Sequence, residues 1–290
     1  MTNCKKLGFV GFGAMARKMA PRLRDAGYAI VVFDPAHHED AIDGFPLLKS
    51  AADVARESEV ILVSVPADAA LEQSIEGPEG VLKGARNGLL LIDTSTVSPG
   101  ASRELAEVAA KQGVRFVEAP ISGSTPEAES GKLVVLAAGK EEDVAFAAPI
   151  LEVIGQRTIY AGPAGQGLVM KLVINGIMGL ATAALAEGIG YGVKAGLDRN
   201  TLIDTLLGLP IVAEHDHPKL EMARKGEYPA RFATRLLSKD LGLLLADAAE
   251  HGVPMSTMAA GAQLFSLAAI KHANEDYAAA IGAVEELVGK

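Results

Sequence analysis
The sequence predicts an α/β fold in two parts: an N-terminal doubly wound sheet, then an all-α C-terminal domain, joined by one long interdomain helix. Three observations carry this. Short apolar runs alternate with helical patterns from Leu7 to Tyr160, which is how a parallel sheet covered on both faces reads. From Gly165 onward only helical patterns follow. Between these regimes, Gly165 to Glu187 has no proline and almost no charge, and reads as a single helix. The chain has 290 residues and is 49% hydrophobic, which suits two domains with two cores. Gly162-Pro163 marks the expected boundary, giving domains of 1–163 and 164–290.

The first apolar run, Leu7 to Val10, ends in Gly11-Phe12-Gly13-Ala14-Met15-Ala16, and a helical pattern then runs from Met15 to Ala26. This is strand, tight glycine turn, helix. Gly11 permits the turn, Gly13 lets a pyrophosphate approach the backbone, and the positive helix end faces the phosphates. Ala16 stands at the third small position. The arrangement is Rossmann-type and makes Gly11, Phe12, Gly13, Ala14 and Met15 candidate cofactor contacts. The second strand, Tyr28 to Phe33, ends at Asp34, where a dinucleotide fold hydrogen-bonds the adenosine ribose. A carboxylate there accepts from the ribose hydroxyls and repels a 2′-phosphate. Pro35 and Ala36 follow with no arginine, so NAD is expected over NADP; His37 and His38, when protonated, soften that preference.

Val60–Val65, closed by Pro66, and Leu89–Ile92, closed by Asp93-Thr94-Ser95-Thr96, read as the next strands, with helices at 51–57, 68–73 and 100–111. Ligands on such sheets lie beyond the carboxyl ends of the strands, where Val65, Pro66 and Thr96 fall. Arg115–Glu118 leads into a loop with Ser122, Gly123 and Ser124, whose N–H groups and hydroxyls suit an anion. Leu133–Ala138 and Thr158–Tyr160 are expected to close the sheet, with a helix over Glu141–Ile154 between them.

In the long helix Lys171 and Asn175 lie four residues apart, hence on one face, among Leu, Val, Met and Ile. A lysine buried there loses hydration, and its pKa falls toward the range a proton-transferring group needs. The helix glycines are expected to allow close approach of another backbone. From Leu168 to Leu185 the helix is apolar enough to span a bilayer, but Lys171 and Asn175 would be costly there and no basic anchors flank it, so a buried helix is expected. Further on, Asp198 is expected to cap a helix through Leu207, and helices follow over 232–250, 255–271 and 277–288. Glu214-His215-Asp216-His217 are adjacent and cannot all converge on one ion, so no metal site is expected. Arg231, Arg235 and His215 are candidate extra substrate anchors.

A formal net charge of −9, with Lys and Arg scattered, argues against nucleic acid or an anionic membrane as partner. Cys4 is the single cysteine and Met1–Lys6 lacks the pattern of a secretory signal, so a cytoplasmic location is the default.

Five motifs together resemble the β-hydroxyacid dehydrogenase family, relatives of 3-hydroxyisobutyrate dehydrogenase, tartronate semialdehyde reductase and 6-phosphogluconate dehydrogenase. They are GFVGFGAMA (8–16), DTSTVSP (93–99), EAPISGSTPEAESGKL (118–133), GQGLVMKLVIN (165–175) and SKDLGL (238–243). The chain departs from the family pattern at Ser124, where a second glycine is usual, and at Ile174, where a polar residue is usual. The resemblance implies that Lys171 is the general acid/base and that Asn175 orients the substrate or the lysine. It also implies that Ser122 and Gly123 hold a substrate carboxylate, that Thr96 and Val65 border the cofactor, and that Lys239 reaches its nicotinamide end. The expected activity is NAD-dependent oxidation of a small anionic β-hydroxy acid by a homodimer or homotetramer. The alternatives are an NADP-dependent reductase of small aldehydes or imines, and a non-catalytic dinucleotide-binding protein.

Overall fold
A computed structural model describes residues 6–289; Cys4 and the start of the segment read for a secretory signal lie outside them. The chain divides into two compact units, Met1–Lys171 and Leu172–Lys290.

The first unit is built on an eight-stranded sheet. Its strands are β1 (Lys6–Val10), β2 (Ala29–Phe33), β5 (Val60–Val63), β6 (Leu90–Asp93), β7 (Arg115–Glu118), β8 (Ile121–Ser122), β9 (Leu133–Gly139) and β10 (Gly155–Gly162). The order is β10-β9-β7-β6-β5-β1-β2, with β8 pairing β9 from outside this path. Helices α1 (Ala16–Asp25), α2 (Ala51–Glu57), α3 (Asp68–Ile75), α4 (Val81–Gly84), α5 (Pro99–Lys111), α6 (Thr125–Ser130) and α7 (Glu141–Ile154) connect them. Every residue of β5 and β6 is buried, which is why Val60–Val63 and Leu90–Ile92 read as unbroken apolar runs. Alternate side chains fill two separate cores: Phe9, Leu62 and Ile92 on one face, Val10, Ile61 and Leu91 on the other. Each fully buried side chain of this kind contributes roughly 1.5–3 kcal/mol.

The sheet is parallel from β2 through β7, but β9 runs antiparallel to β7. The parallel sheet expected from the alternation thus holds from β2 through β7, and the edge beyond it departs from that pattern. The connection after β7 is occupied by β8 and the six-residue α6, and it doubles the chain back instead of carrying it over the sheet. A hairpin of β3 (Ala41–Ile42) and β4 (Phe45–Pro46) was not anticipated. It turns on Asp43-Gly44, with φ of +51° and +81°, the two-residue turn that this dipeptide favours.

Helix α8 spans Gln166–Lys194, longer than expected. It is not buried all round: Val173, Ile177 and Tyr191 are exposed, whereas Lys171 and Asn175 are buried. The close-approach reading of its glycines holds at Gly167, where a Cβ would meet the Leu136 carbonyl oxygen at 2.4 Å; Gly176 and Gly179 instead face side chains.

The second unit adds α9 (Arg199–Leu207), α10 (His217–Lys225), α11 (Thr234–Glu250), α12 (Ser256–His272) and α13 (Ala279–Leu287). Asp198 caps α9, accepting from the Thr201 N–H at 2.8 Å. Asp276 gathers the loops between helices. It accepts from Lys219 Nζ at 2.7 Å and from the N–H groups of Arg231, Phe232 and Ala278 at 3.1 Å each.

Candidate active site
In the first unit the strand order reverses at β1, which lies between β2 and β5. The crevice beyond the carboxyl ends of these strands is where open α/β sheets take ligands. Gly11 sits there at φ +84°, its N–H donating to the Phe33 carbonyl at 2.8 Å, and a Cβ would strike the Ser64 carbonyl oxygen at 2.3 Å. A Cβ on Gly13 would meet nothing within 4 Å, so the space beside that backbone is open. Gly13 and Ala14 are exposed and Met15 half-buried. Helix α1 opens without a side-chain cap or an acidic residue in its first turn, leaving its positive end for an anion. The Phe12 ring is core, stacked edge-on between Phe9 and Phe45, so Phe12 lines this edge through its backbone alone.

Asp34 takes the Phe12 N–H on one oxygen at 2.7 Å and the Ala36 N–H on the other at 2.9 Å. A carboxylate has about four acceptor positions, so capacity remains for ribose hydroxyls. At the ends of β5 and β6, the Val65 N–H donates to Ser95 Oγ at 2.9 Å and Thr94 Oγ1 donates to the Val63 carbonyl at 2.8 Å. These bonds bring Val65, Pro66 and Thr96 to the same edge as the glycine turn. Asp93 supports them by accepting the Ser95 N–H at 3.0 Å. Its complete burial pushes its pKa up to about 6, against the Ser95 hydrogen bonds that pull it down; Glu118 adds a further upward push.

Beyond β7, Ser122 is half-buried on β8, and Gly123 is exposed at φ +126°. Ser124 is the N-cap of α6, and both its N–H and its hydroxyl donate to Glu127 Oε2, at 2.8 and 2.7 Å. Its hydroxyl thus holds a helix end. Glu118, for which no role was read from the sequence, is wholly buried. It accepts from the Gly165 N–H at 2.6 Å, the Leu168 N–H at 2.7 Å and the Ser102 hydroxyl. It therefore closes the open N–H groups at the start of α8. Burial raises its pKa, and these hydrogen bonds oppose the rise.

Along α8, Lys171 is 7% exposed and Asn175, one turn on, 2%. Asn175 Nδ2 donates to Asp240 Oδ2 at 2.7 Å, and Lys239 Nζ pairs with Asp240 Oδ1 at 3.0 Å. Asp240 fixes the Asn175 amide in one orientation, a role that adjacency in SKDLGL did not reveal. Of the extra anchors, Arg235 donates to Asn274 and His215 meets the Tyr277 hydroxyl at 3.1 Å. The Arg231 side chain is exposed.

Two family models match in succession: the NAD-binding domain of 6-phosphogluconate dehydrogenase over residues 6–162, and the NAD-binding region of NADP-dependent 3-hydroxyisobutyrate dehydrogenase over 165–284. The chain belongs to the β-hydroxyacid dehydrogenase family. It is 34% identical to 2-(hydroxymethyl)glutarate dehydrogenase of Eubacterium barkeri, covering 100% of this chain and 98% of the relative. To human mitochondrial 3-hydroxyisobutyrate dehydrogenase it is 32% identical, over 82% of this chain and 74% of the relative. The solved structure of Mycobacterium tuberculosis 3-hydroxyisobutyrate dehydrogenase with L-serine superposes with a TM-score of 0.84 at 27% identity, covering 97% of this chain and 99% of that one.

This dehydrogenase is thus an NAD(P)-dependent oxidoreductase acting on CH–OH groups. The open flank of Gly13, the uncapped start of α1 and the carboxylate of Asp34 fit a dinucleotide: pyrophosphate at the first two, ribose at the third. One polar residue at this edge escaped the sequence reading. Arg17, on α1, donates from Nε to the Phe12 carbonyl at 3.1 Å and from Nη1 to Asp43, and its Nη2 meets His37 Nε2 at 3.2 Å. Its signal was weak, because α1 carries four basic residues and nothing local distinguishes this one.

Proposed function
We propose that this dehydrogenase oxidises a small β-hydroxy carboxylic acid with NAD, or reduces the matching semialdehyde, with Lys171 as general acid/base. The observation that carries this is the burial of Lys171 one turn from Asn175, whose amide is locked on Asp240. In oxidation, Lys171 Nζ takes the hydroxyl proton; in reduction, it returns that proton to the carbonyl oxygen. The nicotinamide supplies the hydride acceptor or donor. Asn175 orients the reacting oxygen, and Ser122 with the Gly123 N–H holds the carboxylate. Asp34 supports NAD as the preferred cofactor. The exposed apolar residues of α8, Val173, Ile177 and Tyr191, support a homodimer or homotetramer. Cytoplasmic residence completes the proposal.

Substituting Lys171 by Met is expected to lower kcat by roughly 100-fold or more while NADH binding, followed by nicotinamide fluorescence, stays intact. Near-wild-type turnover in that variant overturns the assignment. The substrate is found by screening NAD reduction with 3-hydroxyisobutyrate, glycerate, threonate, sulfonated acids and longer β-hydroxy acids. The Eubacterium barkeri relative adds 2-(hydroxymethyl)glutarate to that panel.

A further inference from the structure
We propose that Arg17 is the residue that reads the adenosine 2′ position, so that the chain binds NADP as well as NAD despite Asp34. The inference rests on the reading of this edge as a dinucleotide site and adds a specificity-determining residue to it.

Asp34 and Arg17 grip the same residue. Asp34 accepts the Phe12 N–H at 2.7 Å, and Arg17 donates to the Phe12 carbonyl at 3.1 Å. Arg17 Nη2 also lies 3.2 Å from His37 Nε2, and the His37 N–H donates to the Asp34 carbonyl, so a guanidinium that can bind a 2′-phosphate lies against the loop that follows β2. The other basic residues of α1 are spent elsewhere: Lys18 pairs with Glu129, Arg22 donates to the Val153 carbonyl, and Arg24 pairs with Asp25 and covers the Phe45 ring. Only Arg17 faces the glycine turn. A planar guanidinium suits phosphate oxygens in a way a lysine does not.

The surroundings keep Arg17 in place. Asp43 lies 3.2 Å from Nη1, and it alone among the described non-glycine residues has a positive φ. That conformation belongs to the Asp-Gly turn that brings the carboxylate to Arg17. His37 Nε2 faces a donor that has no lone pair, so it accepts, and Nδ1–H is left to donate to Glu39 at 3.2 Å. Arg17 is half-exposed, and its salt bridge to Asp43 is of the weak, partly solvated kind that an incoming phosphate displaces.

The test is equilibrium titration of NADH and NADPH into the full chain. The chain has no tryptophan, so the emission of the reduced nicotinamide itself reports binding. Wild type is expected to bind both. Arg17→Met should raise the Kd for NADPH by about 10-fold and move that for NADH by less than about 2-fold, with Arg17→Lys between. Asp43→Asn, which removes the competing carboxylate, should tighten NADPH by roughly 3-fold. Equal weakening of both cofactors by Arg17→Met, or no effect on either, overturns the proposal, as does wild-type binding of NADH with none of NADPH. If wild type binds neither cofactor, the dinucleotide reading falls together with it.

Discussion
Each unit has a wholly buried carboxylate that collects loose backbone N–H groups, Glu118 in one and Asp276 in the other, but the two are balanced differently. Glu118, in the first unit, is met by neutral donors alone: Ser102, Gly165 and Leu168, the last two at the start of a 29-residue helix. Asp276, in the second, is met by three backbone N–H groups and by the ammonium of Lys219, which also lies 4.2 Å from the Tyr277 ring centroid. A helix start supplies partial positive charge and aligned donors, so a carboxylate placed there needs no counter-ion. Asp276 gathers two N–H groups from the loop before α11 and one from Ala278, the N-cap of the short helix α13, and a cation completes the set. The first unit compounds its burden, since Asp93 lies directly opposite Glu118 in the β6–β7 ladder. Burial raises both pKa values. Burial likewise lowers that of Lys219, while Asp276 draws it upward.

This contrast breaks most visibly at Lys219. Lys219→Met leaves Asp276 without its counter-ion and should cost about 3–5 kcal/mol, read from urea unfolding. The added change Asp276→Asn should recover part of it, and additive losses would show that the pair does not act as a unit.

A smaller effect separates the units by pH. The folded-state pKa of Asp93, about 6, lies above its reference value of 3.8. Between those values the native chain holds more protons than the unfolded one, so stability falls as pH rises from about 4 to 7, by roughly 3 kcal/mol for this group. Asp93→Asn, which keeps an oxygen for the Ser95 N–H, should flatten that stretch of the pH–stability curve. An unchanged slope would mean that another group carries it.

Glu118→Gln comes next. The amide keeps one acceptor but turns an NH2 toward a backbone donor, which should cost roughly 1–3 kcal/mol. It also removes the charge facing Asp93, so the stability drop should shift to lower pH. At the mild end, Asp198→Ala uncaps α9 for about 1 kcal/mol, in the helical unit alone.

Much of this architecture was legible because its causes are local. Buried parallel strands read as unbroken apolar runs, as in Val60–Val63 and Leu90–Ile92. Helix ends carry their own marks, as at Asp198, and the sharp turn at Gly11 admits only a residue without a side chain. The four-residue spacing of Lys171 and Asn175 puts both on one face of α8, and both are buried there. By contrast, the reversal at β9 follows from how β8 and α6 spend their residues, which no single window shows.

The sequence by itself determined the fold class, the main strands and helices and the glycine turn after β1, because period, turn chemistry and apolar run length act over a few neighbouring residues. Only the tertiary structure decided which polar groups serve one another: Asp240 with Asn175, Glu118 with the start of α8, Arg17 with Phe12 and Asp43. Those partners lie 5 to 65 positions apart. Hydrogen bonds and ion pairs reach only a few ångströms, so residues distant along the chain become partners only after packing has brought them within that range.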